Sequence, residues 1–310
     1  MESRKVEFIK GHMGGNEIVL LYADQMPEGK GIAVAASVLA KPSIGGHNSG
    51  LVYQSEIADI KVEALDATSC DLLGMCGGLT QVLGKAIVET DLASHVGLAI
   101  TEPETNVVME TGVGLVQLRI LHQDGKAERV LTEMTAFVEE SYAWGIERFK
   151  AAGIDALKVG PFLVMNGDAA KQVYPDITLE GMGEREFRMF QDAQREFHRY
   201  IQRETSMFSL YDLHSKSHSG RLVFPHGVDQ RYYEPSCGTG TVAVGIAMVE
   251  NGEIDENGDI SLLFETGGDV FSLGGPDTME LRLVVQDKKV TQAYISHSLV
   301  EILATGELWI

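Results

Sequence analysis

The stretch Ser236-Cys237-Gly238-Thr239-Gly240-Thr241-Val242-Ala243-Val244-Gly245-Ile246-Ala247-Met248-Val249-Glu250 opens on a thiol and continues as an apolar run with helical spacing. The residues just after the cysteine are small and leave the backbone N–H groups uncovered. Early N–H groups of a helix have no partner within it, and the peptide dipoles add partial positive charge there. The pattern therefore predicts a helix N-terminus that receives an anion, with a thiol that ionises below its free value of roughly 8.5.

The chain contains this stretch twice. Met75-Cys76-Gly77-Gly78-Leu79-Thr80-Gln81-Val82-Leu83-Gly84-Lys85-Ala86-Ile87-Val88-Glu89 aligns with it without a gap at a constant offset, 237 − 76 = 161, and 7 of the 14 positions from cysteine to glutamate are identical. Internal similarity at so long a period means two copies of a domain-sized unit. A chain of 310 residues is also comfortable as two domains of about 150 residues each. We expect residues 1–130 to carry Cys76 and residues 131–310 to carry Cys237, the last strand being a candidate to return to the first half.

Composition narrows the function classes. Hydrophobic content of 44% and charged content of 23% are ordinary globular values. No apolar run approaches the ~20 residues of a membrane span, and the first residues lead into a strand without a signal-peptide core, so a cytoplasmic location is expected. A net charge of −20 argues against nucleic acid or anionic membrane as a partner, since either needs a positive patch. Three cysteines make no disulfide framework, and Cys70 has no surroundings like those of the other two. No cluster has zinc spacing, so no metal is expected.

Along the chain, 5–10 and 17–22 read as strands around a glycine-rich turn, Gly11 to Asn16, that puts Asn16 at a loop end. A short helix is expected over Ile32 to Leu39, a polar loop over Gly46-His47-Asn48-Ser49-Gly50, and strands at 51–53 and 60–64 leading to the first cysteine helix. β structure is expected from Gly97 to Ile120, with a hairpin turn at Gln123-Asp124-Gly125-Lys126. Residues 132–150 read as a connecting helix. Strands at 155–159 and 162–165 lead into Asn166-Gly167-Asp168. Residues 183–205 form an amphipathic helix whose Phe187, Phe190, Phe197 and Ile201 face the core. Strands at 207–211 and 221–224 precede the second cysteine helix, and a last β segment begins at 281. Each cysteine helix is apolar along most of its length, so each is expected to be buried and wrapped by sheet.

Two thiols at positive helix ends suit one task well. Inverting the α-carbon of an amino acid needs a base on one face and an acid on the other; a thiolate abstracts while a thiol donates, and the roles exchange for the opposite enantiomer. The substrate carboxylate would be held by N–H groups of Gly77, Gly78, Gly238 and Thr239, which also stabilise the charge that develops as the carbanion forms.

These residues give the chain a resemblance to the diaminopimelate epimerase and proline racemase superfamily, cofactor-independent enzymes with two catalytic cysteines. Pro235-Ser236-Cys237-Gly238-Thr239-Gly240-Thr241 is similar to the second cysteine motif and Met75-Cys76-Gly77 to the first. The resemblance implies an α+β fold of two pseudo-symmetric domains, each a barrel-like sheet around a central helix, and catalysis by Cys76 and Cys237. Gly14-Gly15-Asn16-Glu17 resembles the epimerase turn whose Asn contacts substrate. The loop holding Ser49 resembles the Gly-His loop of proline racemases, Asn166-Gly167-Asp168 resembles the epimerases' Asn-Pro-His, and Arg231 and Glu234 are candidates for their Glu-Arg pair. Gly78 stands where the family usually has Asn or His, and Asp168 where it has His.

The expected activity is a PLP-independent amino-acid racemase or epimerase acting on a small amino acid or carboxylic acid, with a homodimer as the default assembly. Three other readings remain open. One is an isomerase, tautomerase or dehydratase of the same fold acting on a small carboxylic acid. Another is a cysteine hydrolase pairing Cys237 with His226. The third is a non-catalytic carboxylate-binding module.

Overall fold

The computed structural model describes residues 4–40, 43–66, 72–177, 184–201, 207–213, 219–226, 232–266 and 277–310, so Cys70 and Arg231 lie outside the described residues. The chain divides into two compact units, Met1–Ala136 with Ser296–Ile310, and Phe137–Ile295. The division falls at 136/137, where 130/131 was expected, and the last strand is part of the first unit.

The first unit opens with a hairpin of β1 (Lys5–Met13) and β2 (Asn16–Tyr22). Its turn is Gly14-Gly15 alone, with φ of 54° and 89°. A two-residue turn of this hand needs positive φ at both positions, and two glycines supply it. Gly11, His12 and Met13 therefore stay in the ladder instead of joining the turn. After α1 (Gly31–Leu39), β3 (Asn48–Tyr53) runs parallel to β2 and antiparallel to β4 (Ile60–Asp66). The expected loop thus ends at His47, because Asn48, Ser49 and Gly50 have strands to bond on both sides. β4 also pairs antiparallel with β5 (Leu72–Leu73) and, beyond α2 (Gly77–Glu89) and α3 (Leu92–Val96), parallel with β6 (Glu104–Thr111). β6, β7 (Gly114–Gln123) and β8 (Lys126–Glu133) form a meander. Strand structure begins at Glu104, not Gly97, and Asp124-Gly125 turns at positive φ as expected. The strand β18 (Val300–Trp309) pairs antiparallel with β1.

In the second unit α4 (Thr135–Ala143) is followed by β9 (Ile146–Ala151), so the connecting helix expected over 132–150 is only half a helix. Gly145, at φ 86°, ends it, and the residues beyond gain ladder bonds by pairing with β10 (Ile154–Val159). β10 forms a hairpin with β11 (Phe162–Asn166). Past α5 (Gly167–Val173) and α6 (Glu184–Ile201), β12 (Met207–Leu213) runs parallel to β11 and antiparallel to β13 (Ser219–His226). β13 pairs antiparallel with β14 (Tyr232–Glu234) and, beyond α7 (Gly238–Glu250), parallel with β15 (Gly258–Glu265). β16 (Thr278–Gln286) pairs with β15, and β17 (Lys289–His297) follows it.

The two lists of pairings are one scheme used twice. β1 to β6 and β10 to β15 repeat a hairpin, a parallel neighbour, an antiparallel return, a short strand, a buried helix and a parallel crossover. The helix is the centre of each. α2 lies against β1, β2, β3, β7, β8 and β18, and α7 against β10, β11, β12 and β16. Val82, Leu83, Ala86 and Ile87, and likewise Val242, Val244 and Ile246, are fully buried, each large aliphatic contributing roughly 1.5–3 kcal/mol. Gly84 and Gly245, a pair at the 161-residue offset, mark where helix meets sheet. A Cβ at Gly84 would stand 2.6 Å from Val130 Cγ1, and one at Gly245 2.7 Å from Leu281 Cδ2. Outside the sheets, α1 and α6 each cover a separate core. Phe190 and Phe197 are fully buried as the stripe predicts, Ile201 is partly buried, and the Phe187 side chain lies outside the described residues.

Candidate active site

Cys76 and Cys237 are the N-cap residues of α2 and α7, at φ −132°, ψ 113° and φ −136°, ψ 114°. Each sulfur takes the role that an oxygen has in an ordinary cap, accepting Leu79 N–H at 3.5 Å or Gly240 N–H at 3.4 Å. The ladder then starts from the cysteine carbonyls, which accept Thr80 N–H at 3.1 Å and Thr241 N–H at 3.0 Å. The threonine hydroxyls fold back on Gly77 O at 2.8 Å and Cys237 O at 2.7 Å. The N–H groups of Gly77, Gly78, Gly238 and Thr239 thus stand ahead of the first intrahelical bond, beside the sulfur, where the helix field is positive. Cys76 is half-buried and Cys237 buried.

Around Cys76 the structure gathers residues of two strands, β2 and β3. The thiol donates to Asn48 Oδ1 at 3.7 Å. Ser49, expected in the site, is on the other face of β3, where its hydroxyl donates to Ala35 O of α1 at 3.1 Å. Successive strand residues face opposite ways, so Asn48 and Ser49 cannot both reach the thiol. Asn16 does reach the helix. A Cβ on Gly78 would lie 3.3 Å from Asn16 Nδ2 and 3.6 Å from its Cγ. The absence of a side chain at Gly78 therefore leaves room that the Asn16 amide occupies.

Around Cys237 the hydroxyl of Thr239 lies 3.5 Å from the sulfur. Ser209 is at the position 161 residues after Asn48. Its side chain is fully buried, has no hydrogen-bond partner among the described residues, and lies 2.8 Å from where a Cβ on Gly240 would stand. Sequence reading missed both Asn48 and Ser209, although the repeat offset that pairs the cysteines pairs them as well. Glu234 is buried at the end of β14, three residues before the cysteine. The side chain of His226 lies outside the described residues.

Asn166 and Asp168 belong elsewhere. Asn166 caps α5 by accepting Asp168 N–H at 2.7 Å, and its Nδ2 donates to Glu253 Oε1 at 2.9 Å. Glu253 follows the C-terminus of α7, whose 13 residues span about 20 Å, so Asn166 is at the opposite end of that helix from Cys237. Asp168 is exposed in the first turn of α5. Asn followed by an acidic residue is a helix-start signal with its own physical reason, and these two residues start α5. Tyr211 donates to the same Glu253 oxygen at 2.8 Å, and burial, with the nearby carboxylate, holds its phenol well above the ordinary range.

The residue that truly corresponds to Asn16 is read from register. Met13 faces Asn16 across the first hairpin as Val159 faces Phe162 across the second, and Ile18 pairs with Asn48 as Val164 pairs with Ser209. Phe162 is buried against Phe137, ring centroids 5.9 Å apart. The polar residue is thus present in one unit and apolar in the other.

Among the described residues, no group of His, Cys, Asp and Glu is arranged to hold a metal ion, and no helix is long and apolar enough to cross a membrane.

No family model and no curated protein matches the sequence. Solved structures do match. A hydroxyproline epimerase from Agrobacterium vitis with bound trans-4-hydroxy-L-proline is 14% identical with a TM-score of 0.68, over 100% of this chain and 92% of that one. A probable proline racemase from Agrobacterium radiobacter with bound carbonate is 13% identical with a TM-score of 0.65, over 97% and 92%. Methylitaconate-delta-isomerase is 13% identical with a TM-score of 0.61, over 100% and 96%. The pairing scheme, the central helices and these full-length matches show that the chain has the two-domain α+β fold of diaminopimelate epimerase.

Proposed function

We propose that the protein is a cofactor-independent racemase or epimerase of a small amino acid, with Cys76 and Cys237 as its acid–base pair. One observation carries this reading. Each of two repeated units presents a cysteine as the N-cap of a buried helix, with the same backbone angles and the same sulfur-to-N–H bond. A hydrolase has no use for the second copy, and a binding module has no use for either sulfur.

In the proposed reaction one thiolate removes the α-proton. The C–H electron pair passes into the carboxylate, whose oxygens receive N–H groups of a first helical turn. The other thiol gives its proton to the opposite face of the carbon, and a new C–H bond replaces the old one. Asn16 and Asn48 beside Cys76, and Thr239 and Ser209 beside Cys237, orient the substrate.

A panel of L- and D-amino acids in D2O, followed by NMR, tests the proposal. The wild type is expected to exchange the α-proton of one of them and to form its antipode. Cys76→Ser and Cys237→Ser are each expected to slow this by about 10²- to 10⁴-fold, the ordinary worth of a positioned acid or base. Exchange that survives both substitutions would sink the mechanism.

Methylitaconate-delta-isomerase, with the same fold over the whole chain, favours a second reading, proton transfer on an unsaturated acid. Adding small unsaturated carboxylic acids to the panel separates the two.

A further inference from the structure

The Gly14-Gly15 turn and the second residue of β2 are tied down by two imidazoles, each through its Nδ1. Gly15 N–H donates to His12 Nδ1 at 3.1 Å, and Glu17 N–H donates to His47 Nδ1 at 2.9 Å. His47 also gives its own N–H to Glu17 O at 2.9 Å, so it exchanges two hydrogen bonds with that residue. The N–H groups on either side of Asn16 are therefore both received by histidine rings. An Nδ1 that accepts carries no proton, so both bonds require the tautomer with its hydrogen on Nε2. For His12 that hydrogen faces Glu301 Oε2 at 3.3 Å.

The second unit provides a control within the same molecule. By register, His12 corresponds to Lys158, Asn16 to Phe162 and His47 to Phe208. Where no asparagine is held, neither imidazole is present.

We propose that His12 and His47 are positioning residues that hold Asn16 against the first turn of the Cys76 helix through their unprotonated Nδ1 atoms. This rests on the reading of Asn16 as a substrate contact. Protonating either ring places N–H against N–H, breaks the bond, and frees the residues flanking Asn16. Around the pair, Glu301 on β18 faces His12, while the Lys10 and Glu17 side chains, 3.1 Å apart, lie beside the segment of His47.

The clamp predicts loss of ligand engagement on the acid side, where the rings take up protons. An asparagine in place of histidine offers an acceptor oxygen near the Nδ1 position and does not titrate. His47→Asn is expected to keep the affinity of the wild type and to weaken this acid limb, leaving the part that His12 contributes. His47→Ala is expected to raise KM about tenfold with little change in kcat, the effect of losing one hydrogen bond that orients a contact. Equal behaviour of the Asn and Ala variants overturns the proposal.

A second measurement needs no substrate. In ¹H–¹⁵N spectra of the full chain, the Gly15 and Glu17 amides and the Asn16 side-chain amide are expected to shift together as the two imidazoles take up protons. Asn16 signals that stay put while the rings titrate overturn the clamp. A titration with trans-4-hydroxy-L-proline then separates the two readings. Shifts of Asn16 with pH but no response to any amino acid of the panel leave the clamp standing and remove the racemase.

Discussion

Asn48 and Ser49 are neighbours in sequence with different surroundings, and the pair gives a sharp comparison. Asn48→Ala removes the oxygen that meets the Cys76 thiol at 3.7 Å, so α-proton exchange is expected to fall while the fold is kept. Ser49→Ala instead leaves Ala35 O without its buried donor, at a cost of about 1–3 kcal/mol measured by urea unfolding, with exchange little changed. The reverse assignment of effects would contradict the placement of Asn48 at the site. Gly78→Ala belongs to the same scale. Its methyl would press on the Asn16 amide 3.3 Å away, and a raised KM in the exchange assay is the expected result. The cysteines and the small residues after them were legible in the sequence, because a cap and a glycine-led turn are local features. Ser49 and Asn166 were misplaced because a polar residue near a motif does not say which face of a strand it takes, or which helix it caps.

At the scale of elements, the repeated glycines state how closely helix and sheet approach. Gly84→Ala and Gly245→Ala improve intrinsic helix propensity by roughly 1 kcal/mol. Each adds a methyl only 2.6 or 2.7 Å from a packed side chain, which costs about 1–3 kcal/mol in strain. Net destabilisation in both variants, read as a lower urea midpoint with unchanged m, is expected; a raised midpoint would mean the helices sit farther from the sheet than described. Two of the differences between the expected and observed elements have a common cause. Residues 146–150 continue an apolar pattern past Gly145, and Asn48 to Gly50 have the composition of a loop. Pairing with β10 in one case, and with β2 and β4 in the other, overrides local preference.

Across the molecule, a half-buried phenol, Tyr142, and a buried one, Tyr211, set an alkaline limit on stability. Burial, opposed by the Val290 N–H and aided by the Glu250 carboxylate, pushes Tyr142 up to about 12, and Tyr211 is also raised by burial and Glu253. An unfolded phenol titrates near 10. Below that value both states are protonated and the contribution is complete; as pH rises through 10 towards 12 the unfolded state loses protons first and stability falls. Urea unfolding between pH 9 and 11 is expected to show this decline, with a shallower slope in Tyr142→Phe; an unchanged slope would remove Tyr142 as a cause. By itself the sequence determined that there are two units and that each is built on a cysteine-capped buried helix, because duplication, capping and apolar periodicity are written in neighbouring residues. Only the tertiary structure decided that Asn16 and Asn48 meet the Cys76 helix, that Phe162 stands in Asn16's place in the second unit, and that Asn166 lies at the far end of α7. Strand register and the choice of face are settled by long-range pairing, which no local stretch encodes.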